Sequence, residues 1–270
     1  MSTPAKRPSA AKSKAAAYDR LAPFYPQHWG APFLDGALAM YAEWLAPHLP
    51  AHGARVLDVC CGTGEFAAWL SAAHDVTGVD LSGPMLDIAR VRVPGSNFVQ
   101  ADMRTFRLAV PPFDAAVCFY NSFNQAMNAL ALRKAFASVA RHLHPGGWLL
   151  FDVIDESAYS SSWDFEETAI VDRRVCDLRY RYNPQIRIAT CRALVDGEWS
   201  IVRQRPIEID EIRAALDAAG FAVETVAAVA NVSPSNGRSM VLARRVNRPA
   251  GSTPDAATKR VERAPEQRKK

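Results

Sequence analysis

The chain has 270 residues, 49% of them hydrophobic and 22% charged, enough apolar material for a large core in a soluble protein. No run approaches 18 apolar residues, and the basic start MSTPAKRPSAAKSKAAA has no apolar stretch behind it, so neither membrane insertion nor export is expected and the cytoplasm is the expected location. Five cysteines (Cys60, Cys61, Cys118, Cys176, Cys191) form an odd set without a C-x-x-C pair, so no disulfide framework and no metal site is expected.

The net charge of +4 is unevenly spread. Residues 1–17 carry four basic residues and no acid, residues 247–270 carry seven basic and three acidic ones, and residues 18–246 therefore sum to −4. Both ends are rich in Ala, Pro, Ser and Lys or Arg and poor in large apolar residues, which predicts disordered tails at 1–17 and 247–270 around one domain, 18–246. Basic ends on an acidic body argue against nucleic acid, because a nucleic-acid enzyme more often carries its basic surface on the folded part.

In chain order, an aromatic and proline-rich stretch, YDRLAPFYPQHWG, precedes the first strand. Strands are then predicted at 55–59, 75–79, 97–100, 114–119 and 148–153. Helical spacing falls between them in EFAAWLSAA, PMLDIARVR and ALRKAFASVARHL. The alternation predicts an α/β fold with a parallel sheet, and HPGG reads as a stop before the fifth strand. From 160 to 206 the pattern changes to strict alternation, with Cys176, Leu178, Tyr180 and Tyr182 on one face and Asp177, Arg179 and Arg181 on the other. With turn signals at NPQ and DG, this predicts a small inserted antiparallel sheet. A helix in IEIDEIRAALDAAG, capped by Gly220, and two strands in FAVETVAAVA and SMVLARRV close the domain.

The stretch RVLDVCCGTGEF ends a strand in a glycine turn, and Gly62, Gly64 and Ala67 fit a dinucleotide-binding spacing. Asp58 argues against a pyrophosphate there: a carboxylate beside the turn repels phosphate and pairs with an ammonium. S-adenosylmethionine has an ammonium and a sulfonium and no phosphate, which favours it over NAD. Asp80, 18 residues beyond Gly62, ends the second strand where it can accept from both ribose hydroxyls, as it would also for NAD. Asp102 ends the third strand, placed to accept the adenine amino proton beside the backbone and apolar face of Met103. Tyr120, Asn121 and Asn124 follow the fourth strand and face the same mouth, where they could orient a polar substrate.

As a set, VLDVCCGTG, VTGVDLSGPML, FVQADM, FDAAVCFYNS and LHPGGWLLFDV resemble the class I S-adenosylmethionine-dependent methyltransferases. The resemblance implies a Rossmann-like seven-stranded sheet with its last strand antiparallel. It also implies cofactor contacts at Asp58, Gly62, Gly64, Asp80, Leu81, Met85, Asp102 and Met103, with Cys60 in the turn and Tyr120 beside them. YDRLAPFY is similar to a segment of small-molecule methyltransferases, including glycine and sugar-amine N-methyltransferases, that lies over the cofactor. That makes Tyr18 and Tyr25 candidates for closing the site, although Pro26 stands where that family often has Asp. The inserted sheet in such enzymes roofs the substrate pocket or supports dimerisation, and both readings stay open here.

Methyl transfer is an in-line displacement, and a proton acceptor is needed only when the nucleophile carries a proton it must lose. His28, after the closing segment, is the base candidate, and Tyr18 and Asn121 complete the candidate catalytic set. His142 and His144 sit at a helix end, where capping is the stronger explanation. The acceptor is expected to be a small molecule, because FYNSFNQ lacks the Pro-Pro-aromatic pattern of amino-methylating DNA and protein-glutamine enzymes. Two alternatives stay open. An NAD(P)-dependent oxidoreductase would need a Tyr-x-x-x-Lys pair, which YAEWL and YSSSW lack. A non-catalytic nucleotide-binding protein would show degraded cofactor positions, and these are all present.

Overall fold

The computed structural model describes residues 17–229 and 237–246. The expected tails lie outside the described residues except for Ala17, which enters a helical turn over 17–21. From there the chain runs through a wide turn at Pro26–Gly30 into α1 (Ala31–Met40) and a second wide turn at Tyr41–Leu45. It then alternates as β1 (Arg55–Val59), α2 (Glu65–Leu70), β2 (Asp75–Asp80), α3 (Gly83–Arg92), β3 (Asn97–Gln100), β4 (Phe113–Cys118), α4 (Ala129–His142) and β5 (Leu143–Ile154). A short helix α5 (Glu156–Ser162) leads into β6 (Phe165–Val171), β7 (Arg174–Asn183), β8 (Ile188–Val195) and β9 (Glu198–Gln204). Helix α6 (Ile209–Ala218), β10 (Phe221–Ala228) and β11 (Arg238–Arg245) complete the path.

The large sheet has seven strands in the order β10-β11-β5-β4-β1-β2-β3. Strands β1 to β5 pair in parallel, and β11 is antiparallel to both β5 and β10. Both faces of β1 are covered, which is why Val56, Leu57 and Val59 are all fully buried and its sequence does not alternate. Helices α4 and α6 pack on one face of the sheet, with Phe136, Val139 and Leu216 against Phe151 and Leu57. On the other face α1, α2 and α3 contribute Met40, Phe66 and Leu86 against Val56 and Val117.

Two details depart from the sequence reading. β5 begins at Leu143, five residues before the predicted start, because Pro145-Gly146-Gly147 stays extended along β4 instead of forming a free turn. A side chain on Gly147 would come within 3.1 Å of the Asp114 carbonyl, a tight approach that glycine eases. Helix α2 stops at Leu70, short of Ala73.

The inserted segment forms a separate four-stranded antiparallel sheet, β6-β7-β8-β9. Its faces divide as predicted: Cys176, Leu178 and Tyr180 are buried, and Asp177, Arg179 and Arg181 are exposed. Asp196-Gly197 makes a tight hairpin with φ of 51° and 79°, and Asp172-Arg173 makes another with φ of 49° and 66° and no glycine. The N-terminal segment has no strand of its own, yet it is core. Leu21, Ala22 and Phe24 fill the space under the inner face of the small sheet, against Cys176, Leu178 and Cys191. Among the described residues no helix is long and apolar enough to cross a membrane.

Candidate functional site

At the end of β1 the chain turns through left-handed backbone at Cys60 (φ 60°), Gly62 (φ 54°) and Gly64 (φ 79°). The two glycines do different work. A side chain on Gly62 would meet the Tyr25 ring at 3.5 Å, while one on Gly64 would lie 3.0 Å from Ala89 Cβ and push α2 off α3. The Gly62 N–H donates to Asp80 Oδ2 at 3.0 Å, and the Ser82 N–H donates to Asp80 Oδ1 at 2.9 Å. Burial raises the Asp80 carboxyl above its ordinary range, and these backbone donors act in the opposite direction. Ser82 also caps α3, accepting from the Met85 N–H, and its hydroxyl donates to Asp19 at 2.6 Å.

Asp58 is 4% exposed, and its Oδ2 has no hydrogen-bond partner among the described residues. Its carboxyl is pushed well above the usual range by burial first, then by the charges of Asp80 and Glu65. A buried carboxylate among other acids is costly unless a cation joins it. Glu65 is equally buried and already satisfied: it accepts from the Thr63 hydroxyl at 2.6 Å and pairs with Arg92 at 2.9 Å. Gly30 of the N-terminal segment sits directly on it, with room for no Cβ. The sequence reading did not single out Glu65.

Farther along the crevice, Asp102 accepts from the Arg104 Nε at 2.8 Å and from the Arg104 N–H at 2.9 Å. Met103 Sδ lies 3.7 Å from Cys60 Sγ. Leu81 and Met85 line the same crevice, which encloses about 80 Å³.

A second, larger cavity of about 410 Å³ opens between the N-terminal segment, the inner face of the small sheet and the turn after β4. Aromatic side chains, Trp29, Phe33, Trp163 and Tyr180 among them, form much of its wall, and His28, Glu167, Asn121 and Arg238 are among its polar groups. Tyr18, Tyr25 and Tyr120 line both spaces. These three rings are therefore the partition between the crevice and the chamber.

Tyr120 and Asn121 are consecutive left-handed residues, φ 63° and 48°, neither of them glycine. The strained turn is held from below by Asp152, whose Oδ2 accepts the Asn121 N–H at 3.0 Å and the Arg238 guanidinium. Asp152 and Arg238 are buried, and their pairing was invisible in a sequence where they lie 86 residues apart. The signal that could have found Asp152 is an acid inside an otherwise apolar strand. The Tyr120 hydroxyl is buried without a partner among the described residues. The Tyr18 hydroxyl accepts from Gln125 at 2.9 Å, and burial raises it far above its ordinary value.

The remaining sequence candidates separate. His28 lines the chamber, with Nε2 3.2 Å from Glu167 Oε1. Asn124, expected to orient a substrate, is fully buried and spends its amide on the backbone, donating to the carbonyls of Ile154 and Arg205 and accepting the Ile154 N–H. His142 accepts the Leu108 N–H at 2.9 Å and bonds the Ser138 carbonyl at 2.7 Å, a structural role.

A family model for methyltransferase domains matches residues 56–147. The chain is 30% identical over 191 residues to GWCH70_2453 of Geobacillus sp. (strain WCH70), a methyltransferase by name, covering 64% of this chain and 76% of that protein. It is 37% identical over 114 residues to the dTDP-3-amino-3,4,6-trideoxy-alpha-D-glucopyranose N,N-dimethyltransferase of Streptomyces venezuelae, covering 42% of this chain and 44% of that one. Among solved structures, the sugar N-methyltransferase KedS8 from Streptoalloteichus sp ATCC 53650 shares the fold at a TM-score of 0.64 and 23% identity, covering 92% of this chain and 98% of that one. The chain spans about half the length of the first curated relatives it matches (54%, 44% and 53%). The chain belongs to the methyltransferase family. The residues present fit S-adenosylmethionine, the cofactor expected from the sequence: the Asp58 Oδ2, buried without a partner among the described residues, suits an amino-acid ammonium, and the Gly62 N–H is spent on Asp80.

Proposed function

We propose that this protein transfers the methyl group of S-adenosylmethionine to a small molecule held in the 410 Å³ chamber. The observation that carries the reading is the partition: Tyr18, Tyr25 and Tyr120 alone stand between a crevice lined by Asp80 and Asp102 and a chamber large enough for a metabolite-sized acceptor. Bound cofactor supplies an electrophilic methyl on a sulfonium. Asp58 receives the ammonium, Asp80 the ribose hydroxyls, and Asp102 with Met103 the adenine, while Cys60, Gly62, Gly64, Leu81 and Met85 shape the crevice. The three tyrosines exclude water and leave one line of approach for the nucleophile. His28 is the candidate proton acceptor, and Asn121, fixed on its strained turn, orients the acceptor.

The small sheet supports the reading as a roof, since Phe165, Glu167, Tyr180, Cys191, Val202 and Gln204 all reach the chamber. Methylation of an amine is favoured by the S. venezuelae relative, whose name specifies an amino sugar. Five free thiols suit a reducing, cytoplasmic setting. The NAD(P) reading and the non-catalytic reading gain nothing from this site.

The test is calorimetric titration with S-adenosylhomocysteine and NADH, followed by transfer of labelled methyl to a panel of small amines and phenols. S-adenosylhomocysteine should bind and NADH should not. Failure of S-adenosylhomocysteine to bind would overturn the assignment.

A further inference from the structure

Glu167 was not singled out in the sequence and has no role in the reading above beyond lining the roof. It stands on β6, and its Oε1 lies 3.2 Å from His28 Nε2, with side-chain exposures of 35% and 21%. Both residues reach the chamber. The His28 ring is braced edge-on against Trp29, centroids 4.4 Å apart. The Tyr180 hydroxyl neighbours both Glu167 and Trp29. Among the described residues nothing is bonded to His28 Nδ1.

A neutral imidazole beside a carboxylate keeps its proton on the nitrogen that faces the carboxylate, leaving the lone pair on the other. We propose that His28 and Glu167 form a proton-accepting dyad for the methyl acceptor: Glu167 holds the proton on Nε2, and Nδ1 takes the proton that the acceptor releases. The inference rests on the proposed function. The acceptor nitrogen or oxygen forms a bond to the methyl carbon, the carbon–sulfur bond breaks with its electron pair passing to sulfur, and the acceptor's proton goes to Nδ1. Glu167 then faces an imidazolium and compensates its charge.

Asp152 is fully buried beneath the turn and does not line the chamber. The Tyr18 and Tyr180 hydroxyls are raised by burial, so neither is available as a phenolate. His28 comes from the N-terminal segment and Glu167 from the inserted sheet, so the dyad exists only while Phe24 and its neighbours are packed under that sheet. Glu167 is a positioning residue, acting through His28.

The test uses the full chain and the variants His28→Gln, Glu167→Gln and Glu167→Asp. S-adenosylhomocysteine should bind each variant within about twofold of the wild type, since neither residue lines the crevice. Loss of binding in the wild type itself would sink the methyltransferase reading, and the dyad with it. Long-range 1H–15N spectra of the protein saturated with S-adenosylhomocysteine should show His28 with its proton on Nε2, and Glu167→Gln should mix the tautomers. With an acceptor from the panel, His28→Gln should lower kcat by about 100-fold and Glu167→Gln by about tenfold, with KM little changed, and Glu167→Asp should recover part of the loss. A wild-type His28 protonated on Nδ1, or full kcat in His28→Gln, would overturn the dyad.

Discussion

The Gly62 N–H and the Asp80 carboxylate are joined at 3.0 Å, so the glycine turn after β1 and the acid at the end of β2 form one rigid unit. Asp80 also holds the Ser82 N–H at the start of α3. Asp80→Ala therefore removes two backbone anchors as well as the acceptor proposed for the ribose. S-adenosylhomocysteine binding should weaken by about 2–4 kcal/mol, the scale of two charge-assisted hydrogen bonds, in a protein that still folds. Calorimetry checks this, and unchanged affinity in the folded variant would remove Asp80 from the cofactor.

Asp58 gives a pH signature with two opposite signs. Its carboxyl is held well above the ordinary range by burial and by Asp80 and Glu65, so the folded chain keeps a proton that the unfolded chain releases. The stability this group contributes is present below the unfolded value and is lost as pH rises through the folded value. An ammonium ligand prefers the ionised form, so its affinity rises across the same interval. The melting-temperature gain from S-adenosylhomocysteine should therefore grow as pH rises through that interval, and Asp58→Asn should flatten the growth while weakening the ligand. A gain independent of pH in the wild type would contradict the pairing.

Phe24 is fully buried between the N-terminal segment and the small sheet. Phe24→Ala should cost about 3–5 kcal/mol in urea unfolding and also weaken S-adenosylhomocysteine, because Tyr18 and Tyr25 lose their support. Tyr18→Phe, which removes only the bond from Gln125, should leave stability within about 1 kcal/mol of the wild type. Equal stabilities for the two variants would mean the segment is not part of the core.

Val202 lines the chamber from β9 and does not line the crevice. Val202→Trp should fill acceptor space, lowering turnover by at least about tenfold while S-adenosylhomocysteine binds normally. Parallel losses of both would show that the two spaces are not separate sites.

The crevice was legible because it is local. Asp58, Gly62, Asp80 and Asp102 lie at or just beyond the ends of β1, β2 and β3, and parallel strands bring their ends to one edge wherever they pair. The alternation in β7 likewise revealed which face of the small sheet is inward. The acceptor side was not legible, because it is built from pairs distant in sequence: Arg238 with Asp152, Glu167 with His28, Phe24 with Leu178. No short-range pattern marks such contacts. The hairpin at Asp172-Arg173 escaped notice because left-handed backbone there is carried without glycine. The N-terminal segment read as a closing segment and not as core, because helical turns of aromatics and prolines show neither strand nor regular helix period.

The tyrosine partition separates two linings drawn from different parts of the chain. The crevice is made mostly from βα turns of the large sheet, while much of the chamber's lining comes from one contiguous insert, residues 165–204. A substitution at Ala189 or Val202 alters the shape of the space above the rings and leaves the Gly62–Asp80 unit below them untouched. On the proposed function, acceptor choice can thus drift, or be redirected in the laboratory, through those roof positions that face the chamber, as long as the residues packed on Phe24 are kept.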